Sequence, residues 1–250
     1  MSRKIKSVTK VVVVIIICLI MYLILFSGNT VQKKTWMGHE LNEDQLLLGK
    51  DSFNMVNASG EKIGSMVIEG NWIGSNYEWM DLSILDGVVS ERTTYTFDQS
   101  IQLIESTIDF SQGQTNLLGE FKWGDGHVTG EYEIERGGET RKVAVDTTFT
   151  DLVDRAEVFA FVQALPLSIG LKFPVNVLVQ PGMEIWEMNL EVVGDEKCIV
   201  PSGEFETYKI NFTGGKLSNV LYVSKGDQRK LVKVDVVGQP MTIELVSSGK

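Results

Sequence analysis

The chain has 250 residues, of which 43% are hydrophobic and 22% are charged, so it can bury a sizeable core and has the composition of a globular protein. Four of its 23 basic residues lie in the first ten positions, which leaves 19 basic against 33 acidic residues and a formal charge of −14 on residues 11–250. A body this acidic repels phosphate backbones, which excludes nucleic acid as an expected partner.

The N-terminus carries the first predicted element, a membrane-inserting segment. Residues 1–10 form a basic tail that we expect in the cytoplasm, and residues 11–28, VVVVIIICLIMYLILFSG, predict one uncleaved transmembrane signal-anchor. Its apolar run, at about 1.5 Å per residue, spans roughly 24 Å of a hydrocarbon core of about 30 Å. A cleaved secretory signal is the alternative. Since Cys18 lies inside this segment and only Cys198 lies beyond it, we expect no intrachain disulfide.

Two regions follow the segment. Residues 29–50 are polar, show no clean period and are predicted to be a juxtamembrane stalk. In residues 51–250, apolar and polar side chains alternate with a period of two, as in EIWEMNLEV, where Trp186 and Met188 oppose Glu187. Glycine, Asn, Asp or Pro clusters punctuate this pattern, and Pro201 opens one such turn. The pattern predicts an extracytoplasmic all-β domain of about a dozen antiparallel strands, a strongly curved meander forming an open half-barrel or barrel.

One helix interrupts the predicted strands. The segment DLVDRAEVFAFVQALP offers Asp151 as the N-cap and Pro166 as the stop. Because its apolar residues cover more than one stripe, we expect the helix to be buried against the concave face of the sheet. If this helix and the tryptophans filled the concavity, no ligand would fit there.

Three pieces of the C-terminal half carry a family resemblance: a Leu-Pro after the helix, a Val-Pro-x-Gly-x-Phe turn, and a Tyr-x-Ser-x-x-x-x-Arg-x-Leu-Val-Lys hairpin. In this order they resemble the bacterial extracytoplasmic family known as domain of unknown function 3108, over residues 150–247. The resemblance implies an all-β envelope domain with a short helix. The matching residues are Leu165, Pro166, Val200, Pro201, Gly203, Phe205, Tyr222, Ser224, Arg229, Leu231, Val232 and Lys233.

The closing hairpin also resembles that of LolA-type lipoprotein carriers, which are open half-barrels whose concave face holds acyl chains. By analogy, this likeness implies a hydrophobic ligand. Aromatic residues on the strands and the helix are the candidate ligand-binding set. These residues are Trp123, Trp186, Phe121 and Phe159.

Catalytic and metal chemistry find little support in the sequence. His39 and His127 lack the spacing of a metal site, and nucleotide-binding and serine-hydrolase motifs are absent, so we expect no metal, no cofactor and no catalytic residue. Glu131, Glu133 and Glu135 share one strand face about 7 Å apart and are the only material for a carboxylate-dependent hydrolase. A solvated outer face explains them better.

The sequence therefore favours a non-catalytic protein of the bacterial cell membrane, single-pass, with its C-terminal domain outside the cytoplasm. We expect it to bind a hydrophobic or lipid-like ligand on the curved sheet. The alternative is a structural or protein–protein interaction module of the cell envelope, with another envelope protein as its partner.

Overall fold

The computed structural model describes residues 33–124, 126–179 and 184–249. These residues contain one α-helix, α1 (Arg155–Phe161), and two 3-10 turns, Glu43–Gln45 and Val162–Ala164. The strands they form are β1 (Thr35–Trp36), β2 (His39–Glu40), β3 (Gly49–Asn57), β4 (Lys62–Ile73), β5 (Asn76–Leu85), β6 (Val88–Phe97), β7 (Leu103–Gln112), β8 (Thr115–Gly124), β9 (His127–Arg136), β10 (Glu139–Thr148), β11 (Leu152–Asp154), β12 (Lys172–Val179), β13 (Glu184–Val200), β14 (Gly203–Gly214), β15 (Ser218–Ser224), β16 (Leu231–Val237) and β17 (Met241–Ser248).

Fifteen of these strands form one continuous sheet, in the order β10-β9-β8-β7-β6-β5-β4-β3-β17-β16-β15-β14-β13-β12-β11. The pairing is antiparallel throughout except between β11 and β12, which run parallel. Strands β10 and β11 are the two edges, so backbone hydrogen bonds among the described strands do not close the sheet. The prediction of an all-β, predominantly antiparallel fold with one helix is confirmed.

Alternation along the strands decides which side chains form the core. In β13, Trp186 and Met188 are buried while Glu187 is exposed, as predicted. Pro201 lies in the tight turn between β13 and β14, so this segment is a strand connector. The inward side chains build a main hydrophobic cluster around α1, in which the rings of Phe161 and Phe97 lie 4.8 Å apart.

A second, smaller hydrophobic cluster involves the two edge strands of the sheet, β10 and β11, which are consecutive in the sequence. Val145 from β10, Leu152 from β11 and Leu178 from β12 are all buried in it. Side chains from the two ends of the sheet thus share one cluster, although their backbones do not pair. This contact requires the sheet to curl round on itself.

The helix begins later than the sequence predicts. Asp154, not Asp151, is the N-cap: its side chain accepts a hydrogen bond from the backbone of Ala156, and Glu157 completes a capping box. Asp151 instead adopts a positive φ of 51°, and residues 152–154 pair with β12 as β11. The helix passes into a 3-10 turn and ends before Pro166, as expected.

Residues 34–50 pack against the β domain instead of forming the expected stalk. Trp36 and Leu47 are 3% and 7% exposed, and the hydroxyl of Tyr77 donates to the carbonyl of Leu47 at 2.9 Å. The amide of Gln45 donates to the carbonyl of Asp227 at 2.7 Å. These residues belong to the same compact unit, Lys34–Lys250, as the sheet.

The predicted signal-anchor at residues 11–28 and the basic tail before it lie outside the described residues. Within the described part of the chain, no helix combines the length and the apolar character that crossing a bilayer requires.

Candidate functional site

An interior cavity of about 230 Å³ lies between α1 and the curved sheet. We call it the interior cavity. Its wall is formed by strands from both halves of the sheet order, including β5 and β6 on one side of β3 and β15 and β16 on the other. The sheet therefore curves around the cavity. Most of the wall is apolar and rich in methionine, including Met55, Met66, Ile68, Val234, Met241 and Ile243. The helix therefore fills only part of the concavity.

One end of the interior cavity is charged. Alternation in β5 turns Asp81 inward beside Trp79, and alternation in β6 turns Glu91 inward beside Tyr95. Since Asp81 pairs with Thr93 in the register, Asp81 and Glu91 are diagonal neighbours, with Cα atoms about 7–8 Å apart.

The N-terminus of α1 contributes the remaining charged groups. Asp154 and Arg155 line the cavity, and the hydroxyl of Tyr95 donates to Asp154 Oδ1 at 2.9 Å. Glu157 lies behind them and accepts hydrogen bonds from the backbone N of Asp154 at 2.8 Å and from Trp36 Nε1 at 3.1 Å. The capping box therefore joins the helix to the N-terminal segment, and Asp154 joins it to the sheet.

Burial controls the protonation of these groups. Loss of hydration raises the pKa of Asp81 to about 8, and the nearby charge of Glu91 raises it further than Arg155 lowers it. Burial also raises the pKa of Glu91, and it raises the pKa of Glu157 to about 8. Burial lowers the pKa of Arg155, against the attraction of the surrounding carboxylates. The end of the cavity can therefore hold a proton on a carboxyl group at neutral pH.

A larger pocket of about 1010 Å³ lies on another side of the helix N-terminus. Trp123, Phe149 and Phe173 contribute aromatic rings to it, and Glu157 contributes a carboxyl group. Trp123 itself is only 7% exposed, and its Nε1 donates to Ser106 Oγ at 2.9 Å. Most of the Trp123 ring therefore packs against the protein interior and is not available to a ligand.

The four predicted ligand-binding residues do not meet in one place. Phe159 lines the interior cavity, whereas Trp123 lines the larger pocket. Phe121 is 2% exposed in the second hydrophobic cluster. Trp186 belongs to the main cluster, and its indole donates to Glu184 at 2.9 Å. Their role in binding remains a prediction.

Sequence reasoning missed the charged residues of the interior cavity: Asp81, Glu91, Asp154 and Arg155. A signal for the first two was present. Asp81 lies between the inward-facing Trp79 and Ser83 in YEWMDLS, and Glu91 begins the inward-facing series Thr93, Tyr95 and Phe97 in SERTTYTF. An acidic group on the apolar face of a strand is unusual unless it is paired or functional.

The other candidates from the sequence lie at the surface. Glu133 forms an ion pair with Lys142 at 3.1 Å, on a face it shares with Glu131 and Glu135. His39 packs its ring on Phe173 with the ring centres 4.2 Å apart. In the described ranges, no three His, Cys, Asp or Glu side chains are arranged to hold a metal ion.

Several residues of the sequence motifs support the fold around the helix. Arg229 Nη1 donates to the carbonyl of Leu165 at 2.5 Å, so the hairpin motif touches the Leu-Pro motif. The guanidinium of Arg229 also lies over the ring of Tyr208, 5.6 Å from its centre, and its backbone N donates to Gln45 Oε1 at 2.6 Å. These contacts give Arg229 and Leu165 a structural role.

Three solved structures are similar to this one, with low identity. A β-barrel-like protein of the domain of unknown function DUF1849 from Brucella abortus is 11% identical, with a TM-score of 0.45, and the match covers 81% of this chain and 98% of that one. A candidate exported protein with a YmcC-like fold from Bacteroides fragilis is 10% identical, with a TM-score of 0.34 and coverage of 82% and 99%. A candidate lipoprotein from Parabacteroides distasonis is 10% identical, with a TM-score of 0.33 and coverage of 82% and 96%.

No curated protein matches the sequence significantly. The family model described as "Protein of unknown function (DUF3108)" matches residues 59–246, about three quarters of the chain. The match extends well to the N-terminal side of the motifs recognised in the sequence and takes in strands β5 and β6, which carry Asp81 and Glu91. The chain belongs to the DUF3108 family.

Proposed function

We propose that this protein binds a small amphiphilic molecule in the interior cavity without transforming it. The observation that carries the proposal is the cavity itself, which has an apolar wall rich in methionine and one charged end. Methionine side chains adapt to irregular apolar ligands, and a few convergent polar groups orient a ligand in a pocket.

The size of the cavity limits the ligand. The cavity volume is about 230 Å³. This is below the range of about 300–1,000 Å³ for pockets that take drug-sized ligands. This volume suits a short single-chain amphiphile better than a lipid with two acyl chains.

The proposal is tested by filling the cavity from the helix. Ala156 lines the cavity on α1, and leucine there keeps good helix propensity while its side chain takes up part of the space. We expect Ala156→Leu to weaken binding of 1-hexanol to the full chain at least tenfold in calorimetric titration. The matched control, Ala144→Leu on the exposed face of β10, leaves binding unchanged.

Hexanol that binds outside the cavity contributes equally to the wild type and to each variant. The difference between them, measured under the same conditions, therefore reports on the cavity. Equal binding by wild type and Ala156→Leu would place the ligand outside the interior cavity and contradict the proposal. Absence of binding to the wild type would contradict it as well.

A second candidate function is a protein-interaction module of the envelope. The observation in its favour is β10, an edge strand of ten residues, most of them exposed, with no pairing partner on its outer side among the described strands. Such edges can accept a strand from another chain. Proline at Ala144, an exposed position of β10 whose backbone N–H faces away from β9, should then abolish capture of the partner while hexanol still binds.

We further propose that residues 11–28 anchor the protein in the bacterial membrane with residues 34–250 outside the cytoplasm. The basic tail before the apolar run supports this orientation by the positive-inside rule. Membranes washed with carbonate should retain the full chain. Recovery of a shortened chain in the soluble fraction would show cleavage instead.

A further inference from the structure

The charged end of the interior cavity contains more acidic than basic groups. Asp81, Glu91 and Asp154 line it together with a single base, Arg155, and the described lining includes no lysine or histidine. With all four groups ionised, their formal charge is −2. Even with one proton shared by Asp81 and Glu91, the charge is −1.

Arg155 offsets the acidic pair only in part: its attraction lowers the pKa of Glu91 more than any other charge does, but burial still keeps that pKa raised. The repulsion between Asp81 and Glu91 affects Asp81 more than the attraction of Arg155 does. The guanidinium also interacts with Asp154 and lies 5.9 Å from the ring centre of Phe159. Two desolvated carboxyl groups that repel each other keep a proton on one of them at neutral pH unless a cation replaces it.

A second, independent observation, on another strand of the cavity wall, supports a ligand in the cavity. Asn219, on β15, lines the cavity and is 1% exposed, and its Nδ2 has no hydrogen-bond partner in the described chain. Buried polar groups of this kind are normally satisfied. An oxygen atom in the body of a ligand would accept from this amide.

We propose that the ligand of the interior cavity carries a cationic amine head, which binds between Asp81 and Glu91. This inference rests on the proposed function and specifies its ligand class. The amine donates hydrogen bonds to the two carboxyl groups, and its charge takes the place of that of the bound proton, so the net charge of the site stays at −1. Because the cation takes the place of the shared proton, binding at pH 7 releases a proton to solvent.

The test compares three probes with the same chain, hexylammonium, hexanoate and 1-hexanol, by calorimetric titration of the full chain. We expect hexylammonium to bind at least tenfold more tightly than the other two. The released proton is taken up by the buffer. The enthalpy of hexylammonium binding measured in two buffers should therefore differ by the difference between their ionisation enthalpies, for one proton per ligand bound.

The variants are chosen to keep the shape of the cavity. The double variant Asp81→Asn, Glu91→Gln should lose at least tenfold in hexylammonium affinity. Its affinity for 1-hexanol, which carries no charge, should change much less, and retained hexanol binding also shows that the cavity is intact. The matched control, Asp109→Asn with Glu105→Gln on the outer face of β7, should change neither affinity.

The outcomes separate the two proposals. If 1-hexanol or hexanoate binds as tightly as hexylammonium, or if the double variant keeps hexylammonium affinity, the amine head is refuted and the small-amphiphile function stands. If none of the three probes binds to the wild type, both proposals fail.

Discussion

Replacing Asp81 by Asn should stabilise the protein at neutral pH and leave its stability unchanged in acid. Asp81 lines the interior cavity, where burial and Glu91 raise its pKa to about 8 from 3.8. A group whose pKa is raised on folding stabilises the native state below its unfolded pKa, and this contribution is lost as the pH rises through the native pKa. Asparagine has the same shape and no charge to desolvate.

The magnitude follows from the two pKa values. At pH 7 the unfolded chain has Asp81 ionised, whereas the native chain keeps it protonated. One pKa unit corresponds to about 1.4 kcal/mol, so protonation at pH 7 costs the native state up to about 4 kcal/mol. Some of this is relieved by local water, and we expect Asp81→Asn to raise the free energy of unfolding by about 2 to 4 kcal/mol at pH 7.

The assay is urea denaturation of wild type and Asp81→Asn at pH values from 4 to 8. The difference in the free energy of unfolding should be close to zero at pH 4 and should grow up to pH 8. Asp109→Asn, on an exposed position of β7, should stay within about 0.5 kcal/mol of wild type at every pH. A difference that does not depend on pH, or a variant less stable than wild type at pH 7, would refute the reasoning.

Two further predictions concern the packing around the cavity, and both are measured by urea denaturation. Asp154→Ala should lower the free energy of unfolding by about 2 to 4 kcal/mol, because the helix loses its N-cap and the hydroxyl of Tyr95 loses its acceptor. Asp151→Gly should leave the free energy of unfolding unchanged, since Asp151 has a positive φ and caps no helix. A loss as large as that of Asp154→Ala would contradict the assignment of Asp154 as the N-cap. Gly70→Ala should cost about 2 kcal/mol or more, because an added Cβ would overlap the hydroxyl of Tyr77 and a backbone carbonyl oxygen. A Gly70→Ala variant as stable as wild type would show that this contact is looser.

The fold class could be predicted because alternation and turn residues are local signals. A strand with one face on a core repeats every two residues, and Trp186 and Met188 reveal this without knowledge of their partners. The number and order of the strands depend on pairings between distant segments, which no local pattern encodes. The start of the helix was misplaced for the same reason, because residues 152–154 are drawn into a parallel pairing with β12.

The sequence predicts a stalk over residues 29–50 because this segment is polar and its apolar side chains follow no period. The structure explains this: Trp36, Leu41 and Leu47 are each buried in the main cluster, but they are carried by short strands and turns. Periodicity detects a long element with one buried face, and it misses a segment that inserts single side chains.

The candidate site was harder to predict than the fold. Asp81 and Glu91 are separated by ten positions in the sequence and become neighbours only through the register of β5 and β6. Arg155 reaches them from the helix. Asp81 and Glu91 lie inside their strands, and what each of them faces depends on the partner strands and the helix packed over them. The interior cavity, which gives the three their common environment, is a property of the curled sheet.

Binding in the interior cavity is tested most directly by methyl NMR of the full chain labelled at the methionine methyl groups, during titration with 1-hexanol. Met55, Met66 and Met241 line the cavity, whereas Met80 lies on the other face of β5, between Trp79 and Asp81, which point inward. We predict saturable shifts for the three cavity methyl groups and no saturable shift for Met80. Cavity methyl resonances that do not move, or that move only in proportion to hexanol as Met80 does, would contradict a ligand site inside the sheet.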